Sequence, residues 1–547
     1  MTSSSFKMTA LLTTVALVAC APAAEVPTVS GDPAAVAESI SNVSYVPEGD
    51  VAKTLPELAD ALAAGETNSV ALTQAYLDRI EAVDRGGPRL QSVLSLNPDA
   101  LAQAEASDAR RAAGETLGPL DGLPILLKDN IESLDPVATT AGSYALANNL
   151  TERDSPLVAG LRAQGAVILG KTNLSQWANF RSEDSVSGWS AVGGQVRNPH
   201  MLDRSPCGSS SGSGASIAAS LAAGAVGTET NGSIICPSNV NGIVGFKPTV
   251  GVVSQEHIVP ISSTQDTAGP MTKTVRGAAM MMDAMASDGS SGYAAALDPG
   301  SLMGVRVGVL RFAQGSADVQ SVFNAGLSAM EAAGAELVEI EEFNLDAENY
   351  GADSYGLLQW EFKATLDEYL SGSPADIPVR SLEELIAFNA ADPREMAVFD
   401  QSIMDKSQAR SGLDDEAYIA AKANVTGATG ERGIDRLLAE NDVTILVSPS
   451  GPLSSRVDPI NGDTWPAWAG AGYLAAVAGY PHVTIPMGSV HEIPLGFSIM
   501  GTAGQDKDVL SYAYALEQGT QARVEPGYLK DAYQVEDLKA ALEPSHD

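Results

Sequence analysis

Seven short apolar runs recur along the chain: PILL (124–127), AVIL (166–169), GIVGF (242–246), VRVGVL (305–310), ELVEI (336–340), TILVS (444–448) and HVTIP (482–486). Runs of this length, bounded by turn residues, read as strands buried within a sheet. Helical patterns fall between them, which predicts an α/β fold whose sheet is covered by helices. The helix punctuation agrees. Ser69 could cap a helix running roughly to Val83; Asn97-Pro98 is an N-cap followed by proline, with Gly114 as the stop; Ser155-Pro156 repeats the device, with Gly165 at the far end. Around residues 355–440 strand signals vanish and helices dominate, which predicts a helical cap over the sheet. No internal repeat is visible, and no interdomain linker follows residue 55. The chain from 55 to 525 therefore reads as one large domain, with a C-terminal tail over 526–547.

The N-terminus reads as an address. Lys7 precedes the apolar run Ala10–Ala19, which is too short to span a bilayer but suits a secretory signal. Leu17-Val18-Ala19-Cys20 resembles the lipobox of bacterial lipoproteins, in which cleavage leaves an acylated Cys20; an ordinary secretory signal with a chance cysteine is the alternative. Residues 1–19 are thus expected to be a signal peptide and 20–54 a tether. The mature chain would be anchored to the bacterial cell envelope by lipid, facing the periplasm or the cell surface.

Composition removes several function classes. The net charge is −36, and such an acidic chain would repel a phosphate backbone, so no nucleic-acid partner is expected. The five histidines form no H-E-x-x-H and no i,i+4 pair, and the three cysteines have no zinc spacing, so no metal site is expected. Three short motifs match on paper and fail on mechanism. GAVILGKT (165–172) fits the phosphate-loop pattern, but its middle residues are strand formers and belong in a ladder. GSSSG (208–212) fits the nucleophile elbow, yet the polar, proline-bearing NPHMLDRSPC stands where a strand is needed. The only Ser-x-x-Lys is Ser4 to Lys7, inside the signal.

A longer constellation holds together better. LDGLPILLKDNI (120–131) delivers Lys128 at the end of a buried strand. SPCGSSSGSGAS (205–216) runs into a small-residue helix rather than continuing as a linker. GTETNGSIICPSNVNGIVGFKPT (227–249) is a polar turn, a serine after a glycine, and a strand. With STQDTAGPM (263–271), GYPHVTIPMG and PLGFSIMGTAGQD (479–506), these motifs resemble the amidase signature family in order and spacing from about residue 55 to 525. The closest motif match is to its bacterial peptide-amidase branch; Asn231 stands where that branch has Asp.

The resemblance implies a mixed sheet with helices on both faces and a Ser–cis-Ser–Lys triad: Ser233 the nucleophile, Ser209 the bridging serine 24 residues upstream, Lys128 the base. Ser210 and Ser211 are near misses. A serine hydroxyl needs a base to take its proton, and lysine serves only when burial keeps it neutral. Ser209 is expected to hydrogen-bond both partners. Thr230, Asn231, Gly232 and Ser233 offer successive N–H groups for an oxyanion, with Gly232 lacking a Cβ that could obstruct it. No cofactor is required. Trp177 and Asn179 are weaker candidates for substrate contact, with a structural role favoured. Asp266 reads as a turn-holding carboxylate and His482 as a satisfied core residue. Cys207 and Cys236 read as core thiols, with a disulfide as the alternative in an exported chain.

The implied activity is amide hydrolysis through an acyl-enzyme, on linear carboxamides such as C-terminal peptide amides. Rival readings are the same fold acting on aryl amides, fatty amides or esters, a non-catalytic solute-binding lipoprotein, and an amidotransferase component that works on charged tRNA. Triad register argues against the binding protein; export and negative charge argue against the last.

Overall fold

The computed structural model describes residues 45–542. The expected signal peptide, Cys20 and most of the tether lie outside these residues. In chain order the strands are β1 (Val93–Leu96), β2 (Pro124–Lys128), β3 (Val167–Thr172), β4 (Trp189–Ser190), β5 (Gly194–Gln195), β6 (Gly224–Glu229), β7 (Val244–Lys247), β8 (Thr267–Thr272), β9 (Arg306–Leu310), β10 (Glu336–Ile340), β11 (Ile445–Pro449), β12 (His482–Val490) and β13 (Ile493–Met500). β4 and β5 form a small ribbon. The others make one sheet in the order β1-β3-β2-β6-β8-β7-β12-β13-β11-β9-β10. It is a mixed sheet: β2 runs parallel to β3 and β6, and β9 parallel to β10 and β11, while β6–β8, β7–β8, β7–β12 and β12–β13 are antiparallel.

All seven predicted runs are strands of this sheet. Its four other strands escaped sequence reading. β6 (GAVGTE) and β8 (TAGPMT) are built from small residues without apolar alternation. They are small because neighbours come close: a Cβ on Gly269 would run into the carbonyl oxygen of Phe246 on β7. β1 is a four-residue edge strand and β13 is buried along its whole length.

The helices start and stop near their signals. Ser69–Arg79 is capped by Asn68, whose side chain accepts from Ala71 N–H at 2.8 Å, so Ser69 is the first helical residue rather than the cap. A π turn over Ile80–Arg85 carries the chain past Val83. Ala100–Ala113 ends at Gly114 in the left-handed region, φ +74°. Helices Tyr350–Gly372, Leu382–Ala391, Ser402–Gln408 and Glu416–Thr429 form the expected cap. It packs through a cluster of its own, in which Phe362, Leu366 and Leu370 bury against Trp177 and Phe180.

The main core joins both faces of the sheet, with Leu62, Met282 and Leu516 from helices meeting Leu126, Val226 and Phe497 from strands. Residues 45–54 and 526–542, assigned by sequence to tether and tail, pack on this domain because they carry apolar side chains that bury, Val51 and Val535 among them. Tyr45 meets the Tyr528 ring at 5.7 Å, and Leu202 N–H donates to Leu529 O at 2.7 Å.

Candidate active site

Strand register assembles the site. β2 and β6 run parallel with Leu127 opposite Val226, so their carboxyl ends finish side by side, where ligand sites of α/β sheets form. Lys128 is the last residue of β2. Thr228 and Glu229 end β6, and the turn 230–234 leads into the helix Ile235–Asn241. The serine-rich loop enters from the side and begins the helix Ser211–Ala218.

Lys128 is fully buried. Its Nζ donates to Ser209 Oγ at 2.7 Å, to Thr228 Oγ1 at 2.8 Å and to Thr228 O at 3.2 Å. Asn130 Nδ2 donates to the same Thr228 hydroxyl at 3.0 Å. Burial pushes the ammonium down to about 7, against the opposing pull of the Asp266 and Glu229 carboxylates. As a neutral amine it keeps two N–H bonds for Thr228 and turns its lone pair on Ser209.

The three consecutive serines divide their work. Ser210 Oγ donates to Thr228 O at 3.0 Å, and Ser211 Oγ donates to Cys207 O at 2.6 Å, so both are committed to the backbone. Only Ser209 reaches Lys128, and the Gly208–Ser209 peptide is cis. The expected bond between Ser209 and the Ser233 hydroxyl is not among the hydrogen bonds formed. The two segments meet instead through Ser210 N–H, which donates to Ser233 O at 3.1 Å.

Glu229 fixes the turn that bears Ser233. Its Oε2 accepts from Ile234 N–H at 2.8 Å and Ile235 N–H at 3.0 Å. None of the hydrogen bonds among the described residues uses the N–H of Asn231, Gly232 or Ser233, which leaves three donors beside the serine. Gly232 has φ +86°, and a Cβ there would meet nothing within 4 Å. The left-handed backbone therefore requires glycine, not a close approach. Thr230 Oγ1 donates to Asp266 Oδ1 at 2.6 Å, while Asp266 Oδ2 accepts from Ile261 and Ser262 N–H at 2.7 and 2.9 Å. Asp266 thus holds turns, and burial pushes its carboxyl up to about 6.

Cys207 and Cys236 are not free thiols but a disulfide, with Cα atoms 5.9 Å apart. It ties the loop ahead of Ser209 to the helix after Ser233. Both cysteines line a cleft of about 360 Å³ that also includes Gly208, Asn231, Gly232 and Asn179. Trp177, by contrast, is buried under the helical cap. Trp177, Ala178 and Asn179 take φ of 51°, 54° and 68°, three successive left-handed residues without a glycine. The Asn179 Oδ1 is buried without a partner. His482 is satisfied on one side only: Nε2 lies 2.6 Å from Ser498 Oγ, Nδ1 has no partner, and burial pushes the ring down to about 3.

The decoy motifs have structural roles. Lys171 of GAVILGKT lies inside β3, with Nζ bonded to Ile131 O and to Thr139 Oγ1 at 2.8 Å. GSSSG follows a loop and no strand. Sequence reading missed Thr228, Glu229 and Asn130, whose signal was their register: the first two end β6 and Asn130 lies two residues past the end of β2.

Comparison with known proteins agrees. The family model described as Amidase matches residues 71–510. A probable amidase of Arabidopsis thaliana is 34% identical over 499 residues, covering 87% of this chain and 91% of its own. A glutamyl-tRNA(Gln) amidotransferase chain of Halorhodospira halophila is 33% identical over 507 residues, covering 86% and 97%. The crystal structure of native peptide amidase from Stenotrophomonas maltophilia superposes with a TM-score of 0.82 at 44% identity, covering 87% of this chain and 98% of that one. Fold, motif order and family match coincide, and the chain belongs to the amidase signature family of amide-hydrolysing enzymes.

Proposed function

We propose that this amidase hydrolyses linear carboxamides, C-terminal peptide amides among them, with Ser233 as nucleophile, Ser209 as bridge and Lys128 as base. The observation that carries the proposal is the contact of buried Lys128 with Ser209, alone of three serines, next to a turn with unused N–H donors. Ser233 Oγ attacks the amide carbon. Its proton passes to Ser209, whose own proton goes to the neutral Lys128 amine. The N–H groups of the turn Thr230–Ser233 receive the developing oxyanion, each such donor contributing about 3–4 kcal/mol at the transition state. Lys128, now charged, returns the proton through Ser209 to the leaving nitrogen. An acyl-enzyme and ammonia or an amine result, and water attacks the ester by the same relay in reverse. The Ser209–Ser233 hydrogen bond this relay needs is expected to form around bound substrate, where catalytic hydrogen bonds tighten.

Likeness to the Stenotrophomonas peptide amidase supports the peptide-amide preference, and Asn179, with an unpartnered Oδ1 on the cleft wall, would orient the substrate amide. The tRNA-dependent reaction of the amidotransferase relatives fits poorly with a chain of net charge −36. A panel of peptide amides, anilides, fatty amides and esters, followed by release of ammonia, amine or alcohol, tests the reading. Peptide amides are expected to give the highest kcat/KM. A panel in which only esters or anilides turn over would overturn the preference.

Export with acylated Cys20 belongs to the same proposal, and the Cys207–Cys236 bridge supports it, since disulfides persist in oxidising compartments. Cys20→Ala is expected to move the protein from the membrane fraction to the soluble one or to block its processing. Unchanged fractionation would defeat the anchor.

A further inference from the structure

The cleft continues away from Asn231 and Gly232 to a rim that the chemistry above does not use. The segment 450–471 connects β11 to the helix Gly472–Ala478 and forms that rim with Asp463, Trp465 and Trp468. It is tied across the cleft, because Asp463 Oδ1 accepts from Ser187 N–H at 3.0 Å and Oδ2 accepts from Ser187 Oγ. The carboxylate offers about four lone-pair sites, and its hydrogen bonds to Ser187 use two of them. The indoles of Trp465 and Trp468 stand edge to face with centroids 5.9 Å apart, and Trp468 is 51% exposed. Among the described residues no lysine or arginine lines the cleft; its carboxylates are Asp463 and Glu229, and Glu229 Oε1 is buried without a partner.

We propose that Asp463, Trp465 and Trp468 form a subsite for a cationic group, an ammonium or guanidinium, on the acyl part of the amide substrate. A carboxylate beside two indole surfaces is the arrangement that recognises a desolvated cation, through a charge-assisted hydrogen bond and the ring quadrupoles. A neutral aromatic group would use the indoles but leave Asp463 unanswered. An anionic group would meet two carboxylates and no counter-charge. The chain's net charge of −36 adds long-range attraction for cations. The subsite rests on the amide-hydrolysis reading and narrows it to peptide amides that carry a basic side chain.

The test is kcat/KM for three N-acetylated dipeptide amides that differ in one side chain: lysine, norleucine or glutamate. The native enzyme is expected to prefer lysine over norleucine by about tenfold and to accept glutamate least. Asp463→Asn is expected to bring the lysine-to-norleucine ratio to within about twofold of unity, and Asp463→Glu to restore most of it. Using the ratio cancels any general loss caused by a shifted rim. A native ratio near unity, or one unchanged in Asp463→Asn, overturns the subsite. If none of the three is hydrolysed, the proposed function is what fails; calorimetric Kd values of the same three for the Ser233→Ala protein then decide the subsite by the same ratio.

Discussion

Replacing Ser233 by alanine lowers kcat for amide hydrolysis by about 10⁴-fold or more, the loss expected when a serine nucleophile is removed, and leaves the thermal midpoint in place. The second half of this expectation comes from what holds the turn. Ile234 and Ile235 donate backbone N–H groups to Glu229, and Ser210 N–H donates to the Ser233 carbonyl, none of which involves the Ser233 hydroxyl. That hydroxyl makes no hydrogen bond of its own among the described residues, so its loss strands no buried partner. Ser210→Ala is the contrasting change. Its hydroxyl donates to Thr228 O and accepts from Thr228 N–H at 3.2 Å, so it is expected to lower stability as well as rate. Ammonia release and a melting curve on each variant separate the two roles. Activity that survives in Ser233→Ala removes that residue from the chemistry.

The second large effect is on pH. With Lys128 held at about 7 by burial, the amine proposed to accept the Ser209 proton is free above that pH and occupied below it. As an ammonium it spends three N–H bonds on Ser209 and Thr228 and has no lone pair left. Activity should therefore fall as pH drops through about 7, about tenfold per unit once well below it. kcat/KM measured from pH 5 to 9 reports this limb for the free enzyme. Lys128→Met keeps the stem and removes the amine, and should lose about 10²–10⁴-fold, the usual contribution of a general base. Its residual rate should lack the limb near 7. The same limb in Lys128→Met would assign the titration to another group, with Asp266, pushed up to about 6, the first to examine by Asp266→Asn.

How far the sequence could be read follows from what each part depends on. Strands rich in branched apolar residues, such as β9 with VRVGVL around it, declare themselves through composition alone. β6 and β8 do not, because close packing against neighbouring strands favours the small residues that erase a strand signal. Lys128, Ser209 and Ser233 were legible as motif residues at family spacing, and the structure brings Lys128 and Ser209 into contact. Its supporting contacts were not. Thr228 and Glu229 act through strand pairing, which one chain's sequence does not display. Cys207 and Cys236 are 29 residues apart, and separation says nothing of whether their Cα atoms come within bridging reach. The rim around Asp463 lies in a proline- and glycine-rich connection with no periodicity, where only tertiary contact with Ser187 gives the residues a role.

That bridge has a practical consequence for anyone handling the protein. A crosslink closing a loop of this length removes about 3–4 kcal/mol of freedom from the unfolded chain. A chain made in a thiol-rich cytosol begins without that restraint, and dithiothreitol added by habit to a purification buffer works against the cleft it is meant to protect.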